Sequence, residues 1–214
     1  TFGFGENNDY TAKNIRVLDP THTRFDLVYK GKTLTEIQLS VPGRHNLLNA
    51  LAACASALGV GATPEQLART IPDFGGAGRR FEILGKVRGI TIADDYAHHP
   101  AELTATLNVA SQMGYNRVWA VFQPFTYSRT KLLLEDFAQA LQIPERVVMS
   151  EIMGGREHNT WNIYTRDLAE KIPGSVWFET FEEIADYVMA NAEAGDLVLT
   201  LGCGDVYKCA KMML

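Results

Sequence analysis

The sequence predicts an α/β protein whose larger part is a Rossmann-like, mostly parallel, doubly wound domain. Two observations carry this. From residue 81 onward, short β-branched runs alternate with stretches of helical period, a pattern that implies parallel strands joined by crossover helices. Polar and ring-bearing residues gather where those runs end, and open parallel sheets bind their ligands at strand ends.

Taken in order, residues 25–29 and 34–41 alternate apolar with polar side chains and read as two strands, with Lys30-Gly31-Lys32-Thr33 as the hairpin turn. An Ala- and Leu-rich helix is expected over 46–58, ended by Gly59. Thr63-Pro64-Glu65-Gln66 is a capping box with Pro at the first helical position, opening a short helix to Ile71. Gly75-Gly76-Ala77-Gly78 reads as a flexible joint, so the expected domains are 1–78 and 79–214. In the second, strands are expected over 81–87, 90–95, 117–123, 146–151, 175–179 and 196–201. The helices between and after them are expected over 100–112, 129–142, 165–171, 181–192 and 205–213. Thr180 and Glu183 form a second capping box, ahead of a helix with Phe181, Ile184 and Val188 on one face.

Composition narrows the function classes. The 214 residues are 46% apolar and 21% charged with a net charge of −5, and no basic stripe marks a nucleic-acid surface. No apolar run approaches the ~18–20 residues of a membrane span. Thr1-Phe2-Gly3-Phe4-Gly5 has neither an initiator Met nor signal-peptide character, so the chain reads as cut from something longer. Cys54, Cys203 and Cys209 lack the spacing of a disulfide framework or zinc site, which suits a reducing cytoplasm.

The densest chemistry is Asp94-Asp95-Tyr96-Ala97-His98-His99-Pro100, placed between a strand and a helix. A metal on His98 and His99 is disfavoured because adjacent side chains point apart. His45, Asn46 and Asn49 open the Ala-rich helix; carboxamides suit the edge of a purine, and Asn46 is equally suited to capping the helix. Arg80, beside Arg79, can reach phosphate oxygens or form a surface ion pair. Phe122-Gln123-Pro124-Phe125-Thr126-Tyr127-Ser128-Arg129 lies past another strand end. An Arg opening a helix is unfavourable unless an anion is near. If strand ends 95 and 123 are neighbours, Tyr96, His98 and Arg129 line one crevice, and loop 154–159 either closes it or is solvated. Gly202-Cys203-Gly204 is set aside as a dinucleotide fingerprint, since Tyr207 stands where the third Gly is needed.

The segments DDYAHHPAE, VPGRHNLLNALAA, GGAGRRFE, FQPFTYSRT and LGCGD, in this order and spacing, resemble the Mur ligases across nearly the whole chain. The resemblance implies ATP-dependent amide formation for peptidoglycan, in which a muramyl carboxylate is phosphorylated and an amine attacks the acyl phosphate. It implies UDP-N-acetylmuramate and L-alanine as substrates, with a preformed murein tripeptide as the alternative amine. It assigns His45, Asn46 and Asn49 to the nucleotide base, Arg80 to its phosphates and Asp95 to the ribose. Tyr96, His98 and Arg129 surround the amino acid, Arg129 holding its carboxylate; Arg80, His98 and Arg129 are the catalytic set. Residues 1–78 become the end of a central ATPase domain and 79–214 the amino-acid domain.

Two departures stand out. No GxxxxGK[ST] phosphate loop is present, since Gly31-Lys32-Thr33 belongs to the hairpin turn and has Asp26 where the first Gly is needed; the Mg²⁺ ligands are expected ahead of Thr1 and the fragment alone is expected to be inactive. Phe125 and Thr126 stand where relatives commonly carry His and Arg. The rival reading is a non-catalytic nucleotide-binding module.

Overall fold

The computed structural model describes residues 1–19 and 21–214, which form two compact units, Thr1–Gly76 and Ala77–Leu214. The first is built on an antiparallel sheet of β1 (Tyr10–Val17), β2 (Thr23–Tyr29) and β3 (Lys32–Leu39), in that order. The hairpin turn is two residues, not four. Lys30 and Gly31 both take positive φ (45° and 81°), as a twisted two-residue hairpin requires, while Lys32 and Thr33 pair with Tyr29 and Val28. Strand β1 has no counterpart in the sequence reading. Asn14 at φ 49° and a register shift between Lys13 and Arg16 break its alternation.

Helix α1 (Arg44–Gly59) begins two residues before its expected start, because Gly43 at φ 96° is the N-cap. It buries Leu47, Ala50, Leu51 and Cys54 in one cluster with Phe25, Leu27 and Ile37 of the sheet. Helix α2 (Pro64–Thr70) carries both bonds of the expected capping box and runs into a 3₁₀ turn at Ile71–Asp73.

The second unit holds a six-stranded sheet of β4 (Glu82–Val87), β5 (Ile90–Asp95), β6 (Val118–Phe122), β7 (Arg146–Ser150), β8 (Val176–Phe178) and β9 (Leu197–Leu201). The spatial order is β4-β5-β9-β6-β7-β8. Only the β4–β5 pair is antiparallel. Every residue of β5, β6 and β9 is buried, as strands covered on both faces must be.

One face meets α3 (Pro100–Ser111), α5 (Leu134–Ala140) and α6 (Thr165–Ala169), where Leu103, Leu107, Phe137 and Leu168 join Ala93, Ala120, Phe122 and Leu199. The other meets α7 (Phe181–Asn191) and α8 (Tyr207–Met212), where Ile184, Val188 and Cys209 join Ile92, Val121 and Val198. The fold is a doubly wound α/β sheet.

Two expectations are corrected. The helix expected over 129–142 is α4 (Tyr127–Leu132) followed by α5, broken at Leu133 where φ is −112° and ψ is 25°. Strand ends 95 and 123 are not neighbours, because the last strand returns to the middle of the sheet. Asp95 and Phe122 each register with Leu201 of β9, so the two ends stand roughly 10 Å apart, twice the strand spacing. Among the described residues, no helix is long and apolar enough to cross a membrane.

At the opposite end of the sheet, Asp196 is fully buried. It accepts bonds from Arg117 (Nη2 at 2.8 Å), Trp119 Nε1 (3.0 Å) and the Glu193 amide (3.0 Å). Burial raises its pKa, but the Arg117 bond, the Glu193 and Trp119 donors and the Arg117 charge outweigh burial and hold the carboxyl below its ordinary value. Its contribution is therefore present above the unfolded carboxylate pKa near 4 and lost as pH falls through the lower folded value. Asp196→Ala is expected to lower the unfolding free energy by about 3 kcal/mol at pH 7. In urea titrations the gap to the parent chain should narrow once the pH drops below ~4.

Candidate active site

Strand β5 delivers two carboxylates to its carboxyl end, Asp94 and Asp95, only 1% and 5% exposed. Asp94 accepts from Arg79 Nε at 2.7 Å and Thr200 Oγ1 at 2.6 Å. Asp95 accepts from the amides of Ala97 (2.7 Å) and Phe81 (2.8 Å). Burial pushes the Asp95 pKa up; those two amides and the Arg80 charge oppose the shift, while the Asp94 charge adds to it.

The tandem arginines divide their work. Arg79 turns inward, with Nη2 on the Gly202 carbonyl at 2.7 Å, Nη1 on the Gly204 carbonyl at 3.3 Å, and its guanidinium 5.0 and 4.8 Å from the ring centroids of Tyr96 and Tyr207. Arg80 is exposed, its guanidinium 5.8 Å from the Tyr96 ring. The sequence reading singled out Arg80 and left Arg79 without a role. The pair of arginines was visible in the sequence, but which of them faces inward depends on positive φ at Arg79 (59°) and Phe81 (48°).

The tandem histidines divide in the same way. His99 is the N-cap of α3, its ring accepting from the Ala101 amide at 3.4 Å, while Glu102 accepts from the amides of His98 and His99. His98 stands edge-on to Tyr96 with centroids 5.5 Å apart. Its Nδ1 lies 3.0 Å from the Tyr96 carbonyl. A carbonyl cannot donate, so Nδ1 carries the proton and Nε2 is the basic nitrogen of the neutral ring.

Between the β5 and β6 ends stands the turn after β9. The Gln123 amide donates to the Leu201 carbonyl at 3.0 Å, and Gln123 Oε1 accepts from the Val206 amide at 3.2 Å. A Cβ on Gly204 would lie 2.4 Å from Gln123 Oε1 and 2.5 Å from Met153 Sδ. Glycine lets this turn sit flush against its neighbour. The motif set aside as a dinucleotide fingerprint is thus the middle wall of the strand-end surface. Its Cys203 thiol is pushed up by burial, against the charges of Arg129 and Arg79, while Glu102 adds to the rise.

Beyond β6, Thr126 adopts φ 65° and caps α4, its hydroxyl accepting from the Arg129 amide at 3.4 Å. The Arg129 guanidinium lies 6.0 Å from the Phe125 ring centroid. Its Nη1 is buried with no hydrogen-bond partner among the described residues. Loop 153–157 packs on this turn: Phe125 bridges to Met153, and Glu157 accepts from the Ser128 amide and hydroxyl. Gly154 lies so close to Tyr127 that a Cβ would come within 2.5 Å of the ring.

In the first unit, His45 and Asn49 are exposed and Asn46 is half-buried on the opening turn of α1. Asn46 is not the cap, since Gly43 is; its Nδ2 donates to the Pro42 carbonyl at 2.7 Å. Asn49 Nδ2 donates to Asn46 Oδ1 at 3.2 Å. No group of three or more His, Cys, Asp or Glu stands together as a metal site among the described residues.

The chain matches the Mur ligase middle domain over residues 1–57 and the Mur ligase, glutamate ligase domain over residues 79–204. It is 39% identical to a UDP-N-acetylmuramate–L-alanine ligase of Caldanaerobacter subterraneus over 100% of the chain and 47% of that protein. It is 41% identical to the enzyme of the same name from Acetivibrio thermocellus, again over 100% of the chain and 47% of the relative. The crystal structure of the UDP-N-acetylmuramate-alanine ligase of Thermotoga maritima superposes with a TM-score of 0.80 at 25% identity, covering 99% of this chain and 46% of that one. A murein peptide ligase of Psychrobacter arcticus shares the fold, with a TM-score of 0.67 at 24% identity over 97% of this chain and 44% of that one. The chain thus spans about half the length of the relatives it matches. With both of its units matched and a whole-chain identity near 40% to named ligases, it belongs to the Mur ligase family.

Proposed function

We propose that these residues form the carboxyl-terminal half of an ATP-dependent ligase that joins L-alanine to UDP-N-acetylmuramate. The single observation that carries the reading is the orphan Nη1 of Arg129, buried beside strand ends where ligands bind. A buried guanidinium nitrogen with no acceptor is costly, and a carboxylate supplies the missing partner bidentately. L-Alanine carries such a group.

In this reading Arg129 holds the alanine carboxylate and Phe125 closes one side of the guanidinium. Tyr96 and His98 stand on the other side of the turn after β9, so the substrate would reach across that turn, and Nε2 of His98 takes the proton that the amine loses on attack. Arg80, exposed and unburdened by an internal ion pair, meets phosphate oxygens. In the first unit, His45, Asn46 and Asn49 would meet the nucleotide base; Asp95, with a lone pair left on each oxygen, would accept from the ribose. ATP supplies the phosphoryl group that turns the muramyl carboxylate into an acyl phosphate. Mg²⁺ would be held by residues outside the described set. Protein work of this kind is positioning and charge neutralisation.

Phosphate release by the complete ligase, with ATP, UDP-N-acetylmuramate and L-alanine, is the test. Turnover is expected, and Arg129→Ala should raise KM for L-alanine by about 30-fold or more, the equivalent of about 2 kcal/mol. Turnover with a murein tripeptide alone would move the assignment to a recycling ligase, and no turnover with either amine would overturn ligation. The 214 residues by themselves, lacking a GxxxxGK[ST] phosphate loop, are expected to release no phosphate. Gly154→Ala should cost about 1–3 kcal/mol in urea unfolding and raise KM for L-alanine, because loop 153–157 must move off the turn that carries Arg129.

A further inference from the structure

We propose that Arg79 is a positioning residue that clamps three turns into one frame and so fixes Tyr96 and Arg80 for the reaction; the kinetic part of this rests on the ligase reading above. The argument begins with Asp94. A carboxylate 1% exposed requires a cation, and Arg79 Nε meets it at 2.7 Å. A lysine would satisfy that demand equally well as a charge. Arg79 does more, because its planar fork has further donors in fixed directions. Nη2 and Nη1 take the carbonyls of Gly202 and Gly204, which ties the turn after β9 to the end of β5.

The backbone of the same residue makes the third tie. Its carbonyl accepts from the Tyr96 amide at 2.7 Å, its amide donates to Glu82 Oε2 at 2.7 Å, and the next turn is pinned where the Phe81 amide meets Asp95. The Tyr96 ring consequently lies against two guanidinium groups, Arg79 at 5.0 Å and Arg80 at 5.8 Å. Among the described residues Arg80 has no ion pair of its own to define where it points; its place follows from the residue before it and from the ring beside it. Moving Arg79 therefore moves the exposed cation and the exposed phenol together.

Two variants separate positioning from mere stability. Arg79→Gln with Asp94→Asn removes both charges at once, so no unpaired carboxylate is left in the core. Arg79→Lys keeps the ion pair and loses the fork. In hydrogen exchange on this chain, the double variant is expected to speed exchange of the Phe81 and Tyr96 amides by about tenfold or more, while the amides of Ile92 and Val198 in the β5–β9 ladder keep their protection. Unchanged Phe81 and Tyr96 amides would overturn the clamp, and so would loss of protection throughout the sheet, which would make Arg79 a general stabiliser.

In the complete ligase, both variants are expected to keep a melting temperature within about 4 °C of the parent while kcat per folded molecule falls about 10- to 100-fold. Arg79→Lys should thus match the parent in melting temperature without matching it in kcat. Parent-like kcat in either folded variant would overturn the positioning role. A parent enzyme that ligates nothing would instead refute the ligase reading, and the exchange experiment would still decide the clamp.

Discussion

A carboxylate carried into the interior by a strand has to be met by a cation and by donors, and the second unit is arranged around how Asp94 meets that demand. The effective cost of burying an unpaired ion is several kcal/mol, comparable to a large part of a domain's net stability. The partner cannot come from β5's own neighbours in the ladder, because opposite Asp94 β9 offers only Thr200 and β4 only the acidic Glu82. It comes from the segment before β4, which has to enter the left-handed region at Arg79 and again at Phe81 to bring the guanidinium inward. Once that turn is made, the Phe81 amide falls on Asp95 and the Arg79 carbonyl falls on Tyr96. The two adjacent acids thus organise the site without either being exposed.

The strand order adds a second constraint. A last strand inserted between β5 and β6 separates two loops that would otherwise touch, so anything joining them has to pass over the turn after β9. That turn must then be nearly flush with the sheet edge. Gly204 leaves no room for a Cβ against Gln123 and Met153, and Gly202 at φ 147° approaches the Gln123 carbonyl, where a Cβ would stand 3.0 Å away. The glycines that invite a dinucleotide reading serve packing between strand ends. The Cys203 thiol between them is close enough to feel the charges of both Arg79 and Arg129, although burial still pushes it up.

Patterns of burial were legible in the sequence and handedness of single residues was not. Strands covered on both faces announce themselves as apolar runs, and β5, β6, β7 and β9 lie within a residue of their expected bounds at either end. Strand β1 failed that test because most of its length is exposed and a bulge interrupts its period. The break at Leu133 carries no Gly or Pro to announce it. Tandem residues were the hardest case. In Arg79-Arg80 and His98-His99, one member faces inward or caps a helix and the other borders the strand-end surface, and a sequence lists both with equal weight. Asn49, read from the sequence as suited to a purine edge, is exposed and commits its Nδ2 to its neighbour Asn46.

The macrodipole argument for an anion near Arg129 survives in a different form. Helix α4 has only six residues, so its dipole is a small influence on a guanidinium. Burial is the larger one. Native structures leave few buried polar atoms unpaired, and an exception calls for an explanation. Among the described residues Arg129 Nη1 is that exception, although acidic Glu157 lies close enough for its charge to be felt across the same turn. Glu157 is already committed to the Ser128 amide and hydroxyl. A carboxylate that could have paired with Arg129 is instead used to hold the loop, which leaves a positive, desolvated nitrogen without an acceptor among the described residues. In the proposed ligase reading, an anionic group of the substrate supplies that acceptor without requiring the loop to give up Glu157.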